Sequence, residues 1–171
     1  MNSDSMTLYK LIILFLLDKV DFPLTNAQMS NFILDKGYTD YFNIQQAIKE
    51  LDTASLLKGE TIRNSSYFLI TEAGRETLDF FNKEIGDTIK AEIFDFLKEN
   101  KYKLREEVST LSDYYEGKKG EFVAHCYVQE RGSKIVEVSL TVTSEEEAAS
   151  ICNNWREKSQ EIYAHLMQEL L

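Results

Sequence analysis

The stretch Leu57-Lys58-Gly59-Glu60-Thr61-Ile62-Arg63-Asn64-Ser65-Ser66-Tyr67-Phe68-Leu69-Ile70-Thr71-Glu72-Ala73-Gly74-Arg75 decides how the first half of this chain folds. Leu57, Gly59, Thr61 and Arg63 alternate with Lys58, Glu60 and Ile62, the two-residue period of a strand. Arg63 to Ser66 is turn chemistry, because Asn and Ser side chains hydrogen-bond to nearby backbone. Tyr67 to Ile70 then reads as the returning strand of a hairpin. Thr71 follows as an N-cap, its hydroxyl placed to accept from the free N–H groups of a new helix.

Upstream of the hairpin the period is helical. Leu8, Leu11, Ile12 and Phe15 share a stripe, and Ile13, Leu14 and Leu17 make the same helix apolar nearly all round. Such a helix needs cover on two sides. Pro23 breaks the chain, and Thr25 with Gln28 forms a capping box for a second helix carrying Met29, Phe32 and Ile33 inward. Gly37 stops it. A third helix starts after Thr39 or Asp40. Ile44, Ala47, Ile48 and Leu51 make its inner stripe, and at about 100° per residue Phe42, Gln46, Lys49 and Thr53 point the other way, flanked by Asn43 and Gln45.

Three short helices, a hairpin and a strand running into Ile70-Thr71-Glu72-Ala73-Gly74-Arg75 resemble the bacterial winged-helix fold. Many such regulators carry leucine-threonine-x-x-glycine-arginine at this strand-to-helix step, and this chain departs only at the first position. The likeness covers roughly residues 7–82. The whole chain further resembles an uncharacterised bacterial family of small winged-helix proteins with an added C-terminal domain, whose ending fits Ile151-Cys152-Asn153-Asn154-Trp155. The resemblance implies that the third helix, about Tyr41 to Ala54, is a recognition helix for a major groove. Asn43, Gln45 and Gln46 would then read adenine edges, and Lys49 guanine or phosphate. Lys58, Arg63, Asn64, Ser65 and Ser66 of the hairpin would lie near backbone phosphates.

The second half reads as a separate α+β module, which divides the chain into a domain over 1–82 and another over 83–171. Ile85, Ile89, Ile93, Phe94 and Leu97 continue a helical stripe, with Gly86 and Asp87 marking a fresh start. Lys98 to Arg105 is a basic run suited to a solvated helix end. From Leu104 the pattern turns strand-like. Gly117-Lys118-Lys119-Gly120 and Glu130-Arg131-Gly132-Ser133 are turns, so the strands between and after them form an antiparallel meander. Phe122, Ala124, Cys126 and Val128 fall on one strand face, and Val136, Val138, Leu140 and Val142 on one face of the next. Ser144 with Glu147 is a second capping box, opening a last helix that runs from Glu145 to near Leu170. Its apolar face exceeds what one small sheet needs as cover, which points to contact with another subunit.

The chain has 171 residues and a net charge of −10. An acidic chain is not a general polyanion binder, so any contact with nucleic acid must be local. From Tyr41 to Tyr67 the cations Lys49, Lys58 and Arg63 face the anions Glu50, Asp52 and Glu60, so this segment is neutral but not basic. The run Leu11–Leu17 is too short to span a bilayer, which needs about 20 residues. It also lacks the flanks of a signal peptide, so a cytoplasmic protein without a membrane partner is expected. Disorder is expected only in a short N-terminal tail. Cys126 and Cys152 are not spaced as a metal or redox motif, and His125 and Cys126, adjacent on a strand, point to opposite faces. No catalytic signature, metal site or cofactor loop is present, so no enzyme is expected. Trp155 and the tyrosines at helical spacing fit a core; a small-molecule effector stays open. The winged-helix resemblance implies a transcriptional regulator that binds double-stranded DNA, and a homodimer is expected, with the first helix as the favoured dimer surface and the last helix as the other. The alternative is a protein-interaction adaptor whose winged helix does not touch DNA.

Overall fold

In a computed structural model, residues 3–171 follow the order α1 (Ser3–Asp18), β1 (Leu24–Thr25), α2 (Asn26–Asp35), α3 (Tyr41–Thr53), β2 (Leu57–Ile62), β3 (Ser65–Ile70), α4 (Glu72–Phe81), a 3-10 turn (Asn82–Glu84), α5 (Asp87–Ser109), β4 (Thr110–Glu116), β5 (Phe122–Glu130), β6 (Ser133–Val142) and α6 (Glu145–Leu170). Met1 and Asn2, the tip of the expected tail, lie outside the described residues. The fold is α+β and divides into two compact units. The first holds the chain up to Thr61 together with Ser65–Arg105; the second holds Ile62–Asn64 and Glu106–Leu171.

The first unit is built around α1. Every residue from Leu11 to Leu17 is buried, and Ile13 is 0% exposed. Helices α3 and α4 and strand β3 pack on it. Phe94 of α5 meets Phe15 edge-on at 5.7 Å between centroids. The two-sided burial that the sequence demands is thus met inside one chain, and the first helix offers no Ile13 surface to a second copy. Most of α5, as far as Arg105, belongs to this unit, with Ile93 and Leu97 buried and Phe96 packed 4.7 Å from Phe32. This compact unit ends at Arg105.

Local chemistry sets the elements. Thr25 caps α2 in a complete capping box with Gln28, and Asp40 caps α3 by accepting from the Asn43 N–H. Strands β1, β3 and β2 form a sheet in that order, with Leu24 opposite Phe68. The step from β3 into α4 is tight. The Thr71 hydroxyl accepts from the Gly74 N–H at 3.0 Å and donates to the Ser55 carbonyl at 2.8 Å. The Thr71 N–H donates to the Leu56 carbonyl at 3.1 Å. A Cβ on residue 74 would lie 2.3 Å from that same carbonyl oxygen, so only glycine fits. Arg75 reaches Asp18 of α1 at 3.4 Å.

Helix α5 corrects the expectation of strand from Leu104. Leu104 and Val108 are buried and prolong the stripe of Ile93 and Leu97, so the helix runs to Ser109 and β4 begins at Thr110. The basic run Lys98–Arg105 consequently lies inside the helix, not at its end. Arg105 pairs with Asp21 at 3.2 Å and sits 5.5 Å over the Phe22 ring.

In the second unit β4, β5 and β6 form the expected antiparallel meander, with Ser112, Cys126 and Val138 in register across it. Arg131 and Gly132, at φ 48° and 79°, make the two-residue turn between β5 and β6. Helix α6 covers the face carrying Ala124 and Cys126, and these pack with Ala148, Cys152 and Trp155. The Trp155 indole N–H donates to the Tyr127 carbonyl at 3.2 Å. Ser144 accepts from the Glu147 N–H as expected of an N-cap. The Glu147 carboxylate, however, turns to the Thr143 N–H and hydroxyl at 3.1 and 3.2 Å, so only half of that capping box forms. Beyond Ser159 the helix leaves Ile162, Leu166, Met167 and Leu170 exposed.

Candidate nucleic-acid interface

The inner stripe of α3, Ile44, Ala47, Ile48 and Leu51, is fully buried and fixes which face of the helix looks outward. That outer face carries Phe42, Gln46, Lys49 and Thr53, all exposed. Phe42 is 82% exposed. The Gln46 amide donates to Glu50 at 2.9 Å, and Glu50 also pairs with Lys10. Hydrogen bonds from Lys10 and Gln46 hold the Glu50 carboxyl below its ordinary range, so an anion persists beside the outer face. Lys49 and Lys58 are exposed cations with no ion pair among the described residues.

The other residues singled out from sequence occupy different settings. Gln45 is half-buried and turned toward α2. It exchanges hydrogen bonds with the Asn26 amide at 2.7 and 2.9 Å and donates to the Ser30 hydroxyl at 3.2 Å, so its side chain ties two helices together. Asn43 donates to the Thr39 hydroxyl at 2.9 Å, a bond local to the start of α3. Asn64 and Ser65 are exposed at the hairpin turn, and Ser66 is half-buried. Arg63 sits at φ 53°, in the left-handed region that costs an L-residue about 1–2 kcal/mol. It clusters with the second unit. Its N–H donates to the Asp113 carboxylate at 3.3 Å, its guanidinium donates to Asn153 at 3.2 Å, and the cation lies 5.7 Å from the Tyr114 ring centroid. Phe42 shares the outer stripe of Gln46, Lys49 and Thr53, a placement already given by the helical spacing.

A family model described as "Domain of unknown function (DUF4364)" matches residues 9–170. The chain belongs to the DUF4364 family. No curated protein and no solved structure matches it. The DUF4364 match spans both compact units, from within α1 to the end of α6. Among the described residues of this DUF4364 protein, no three His, Cys, Asp or Glu side chains are grouped to hold a metal ion. His125 stands 2.6 Å from Glu137 on the sheet face opposite Cys126, which packs against Cys152 in the core. Among the same residues, no helix is long and apolar enough to cross a membrane.

Proposed function

We propose that the first unit is a winged helix that binds double-stranded DNA sequence-specifically, and that the protein is a transcriptional regulator. The observation carrying this reading is the outer face of α3. Its inner stripe is locked into the core, while Gln46 and Lys49 stay exposed about one turn apart on a helix of groove-fitting length. Phe42 extends the same face and offers an apolar contact for a thymine methyl. Lys58 and Ser65 on the following hairpin supply backbone contacts. Gln45 and Arg63 drop out of the reader set, because Gln45 is half-buried against Asn26 and Ser30 and Arg63 is held by Asp113 and Asn153, whereas the Gln46 bond to Glu50 lies on the exposed face. A two-fold homodimer would read two half-sites. With α1 covered, the surface for it is the exposed end of α6 around Leu166 and Leu170.

Selection from a random DNA pool with the purified chain tests the reading. An enriched motif, bound at least tenfold more weakly by Gln46→Ala/Lys49→Ala, is the expected result. Each lost base contact costs about 1–3 kcal/mol. No enrichment, or equal binding by the double variant, rejects it. One observation favours the adaptor as a second reading: Glu50, Asp52 and Glu60 are interleaved with the cations, and Phe42 is an apolar knob of the kind a protein partner buries. A pool without enrichment would turn the case toward it.

A further inference from the structure

The second unit contains a cleft of about 230 Å³ whose lining has a definite chemistry. Val128, Val136 and Tyr163 give it an apolar wall, and Glu106 and Glu130 are its only charged side chains among the described residues. Neither carboxylate has an ion pair among those residues. Ser159 of α6 completes the lining. It is only 2% exposed, yet its hydroxyl makes no hydrogen bond among the described residues. The residue is almost wholly buried, so the hydroxyl's remaining opening is onto the cleft that it lines. A serine four residues after Trp155 could have been alanine, with better helix propensity and no polar atom to satisfy.

The geometry points to a binding site for a small organic cation, an ammonium group on an apolar stem. The stem lies against Val128, Val136 and the Tyr163 ring. The ammonium meets Glu106 and Glu130, and a polar group on the ligand engages the Ser159 hydroxyl. Volume limits the size. At about 30 Å³ per water-sized group, the cleft holds a molecule of on the order of eight non-hydrogen atoms. Charge sets the sign: two unpaired carboxylates without a lining cation repel anions, and the chain's net charge of −10 adds to that field. Such a site would receive the small-molecule signal that a regulator needs. It rests on the second unit alone, so a failure of DNA binding leaves it standing.

The native chain carries its own reporter. Trp155 is the only tryptophan, one helical turn before Ser159, and its indole is bonded to the Tyr127 carbonyl beside Val128. Full-length protein is titrated with 2-phenylethylammonium, hexylammonium and putrescine, with 2-phenylethanol and 3-phenylpropanoate as neutral and anionic controls. Saturable change in Trp155 emission with at least one amine in the millimolar range, and none with the controls, is expected. Glu106→Gln/Glu130→Gln, both at exposed positions, should weaken that amine at least tenfold with the far-UV spectrum unchanged. Ser159→Ala should weaken it severalfold while raising the melting temperature of the free protein, two opposed effects that a merely structural serine does not produce. No saturable response to any of the three amines overturns the proposal. So does equal response to the alcohol or the carboxylate, or unchanged affinity in the double glutamine variant.

Discussion

Replacing Gly74 with alanine sets two effects of known size against each other. In a helix interior the change ordinarily stabilises by about 1 kcal/mol, because alanine loses less backbone freedom. Here the new methyl would lie 2.3 Å from the Leu56 carbonyl oxygen and 2.8 Å from Ile70 Cγ1. Ordinary carbon–oxygen contact is about 3.3 Å or more, so α4 must withdraw by about 1 Å. That motion pulls on two hydrogen bonds, Thr71 N–H to Leu56 at 3.1 Å and Thr71 hydroxyl to Ser55 at 2.8 Å. Each contributes about 1 kcal/mol net. Forcing a methylene into a packed site adds about 2 kcal/mol. Subtracting the propensity gain leaves a loss of about 3 kcal/mol. At about 2–4 °C per kcal/mol for a chain of this length, the melting temperature falls by about 6–12 °C. Circular dichroism melts and urea titrations measure it, with Glu76→Ala on the exposed side of α4 as a control within about 0.5 kcal/mol of wild type. A Gly74→Ala protein as stable as wild type would refute the argument that a close backbone approach demands this glycine.

Gln45→Ala should destabilise by about 1–3 kcal/mol, since it strands the Asn26 side-chain N–H and leaves Asn26 and Ser30 only their mutual hydrogen bond; urea denaturation reads it, and a neutral variant would free Gln45 for another role. Arg63→Ala should leave the salt dependence of any DNA binding unchanged and cost about 1 kcal/mol of stability through the lost Asn153 and Tyr114 contacts; a salt slope lower by about 1 would return Arg63 to the phosphates. Burial, reinforced by the neighbouring Cys152 thiol, pushes the Cys126 thiol up from 9.0 to about 12. The unfolded thiol ionises first, so this contribution to stability is complete below pH 9 and is lost as pH climbs toward 12. At pH 8 iodoacetamide should therefore spare Cys126 in the native chain and modify it in denaturant; fast native labelling, followed by mass spectrometry, would contradict the closed core.

What the sequence disclosed and what it concealed follow one division. Features written in nearby residues were readable: both faces of α3, the caps at Thr25 and Thr71, the hairpin, and the meander with Ala124 and Cys126 inward. Features set by distant partners were not. Gln45 occupies a position flanking the outer face, and only the placement of Asn26, nineteen residues earlier, turns it inward. Arg63 is plainly a turn residue, but Asp113 and Asn153 lie 50 and 90 residues away along the chain. The all-apolar α1 correctly demanded two-sided cover, yet nothing local said that α5 supplies part of it. The misjudged end of α5 has a different cause. Val108-Ser109-Thr110-Leu111 mixes β-branched and alternating residues, which hid the continuing helical spacing of Leu97, Leu104 and Val108. The cleft at Ser159 had no local signature, because its lining comes from five separate elements.

The enclosure of α1 also has a consequence during synthesis. This helix is translated before α5, and its run Leu11–Leu17 is among the most apolar in the chain, yet Phe15 is not closed over until Phe94 has been made. At about 5–20 residues per second, the nascent chain carries that run uncovered for roughly 4–16 seconds, plus the time Phe94 spends in the ribosomal tunnel. Over that interval the segment is a ready target for a holdase chaperone, and a ribosome stalled before α5 would release a fragment prone to aggregation.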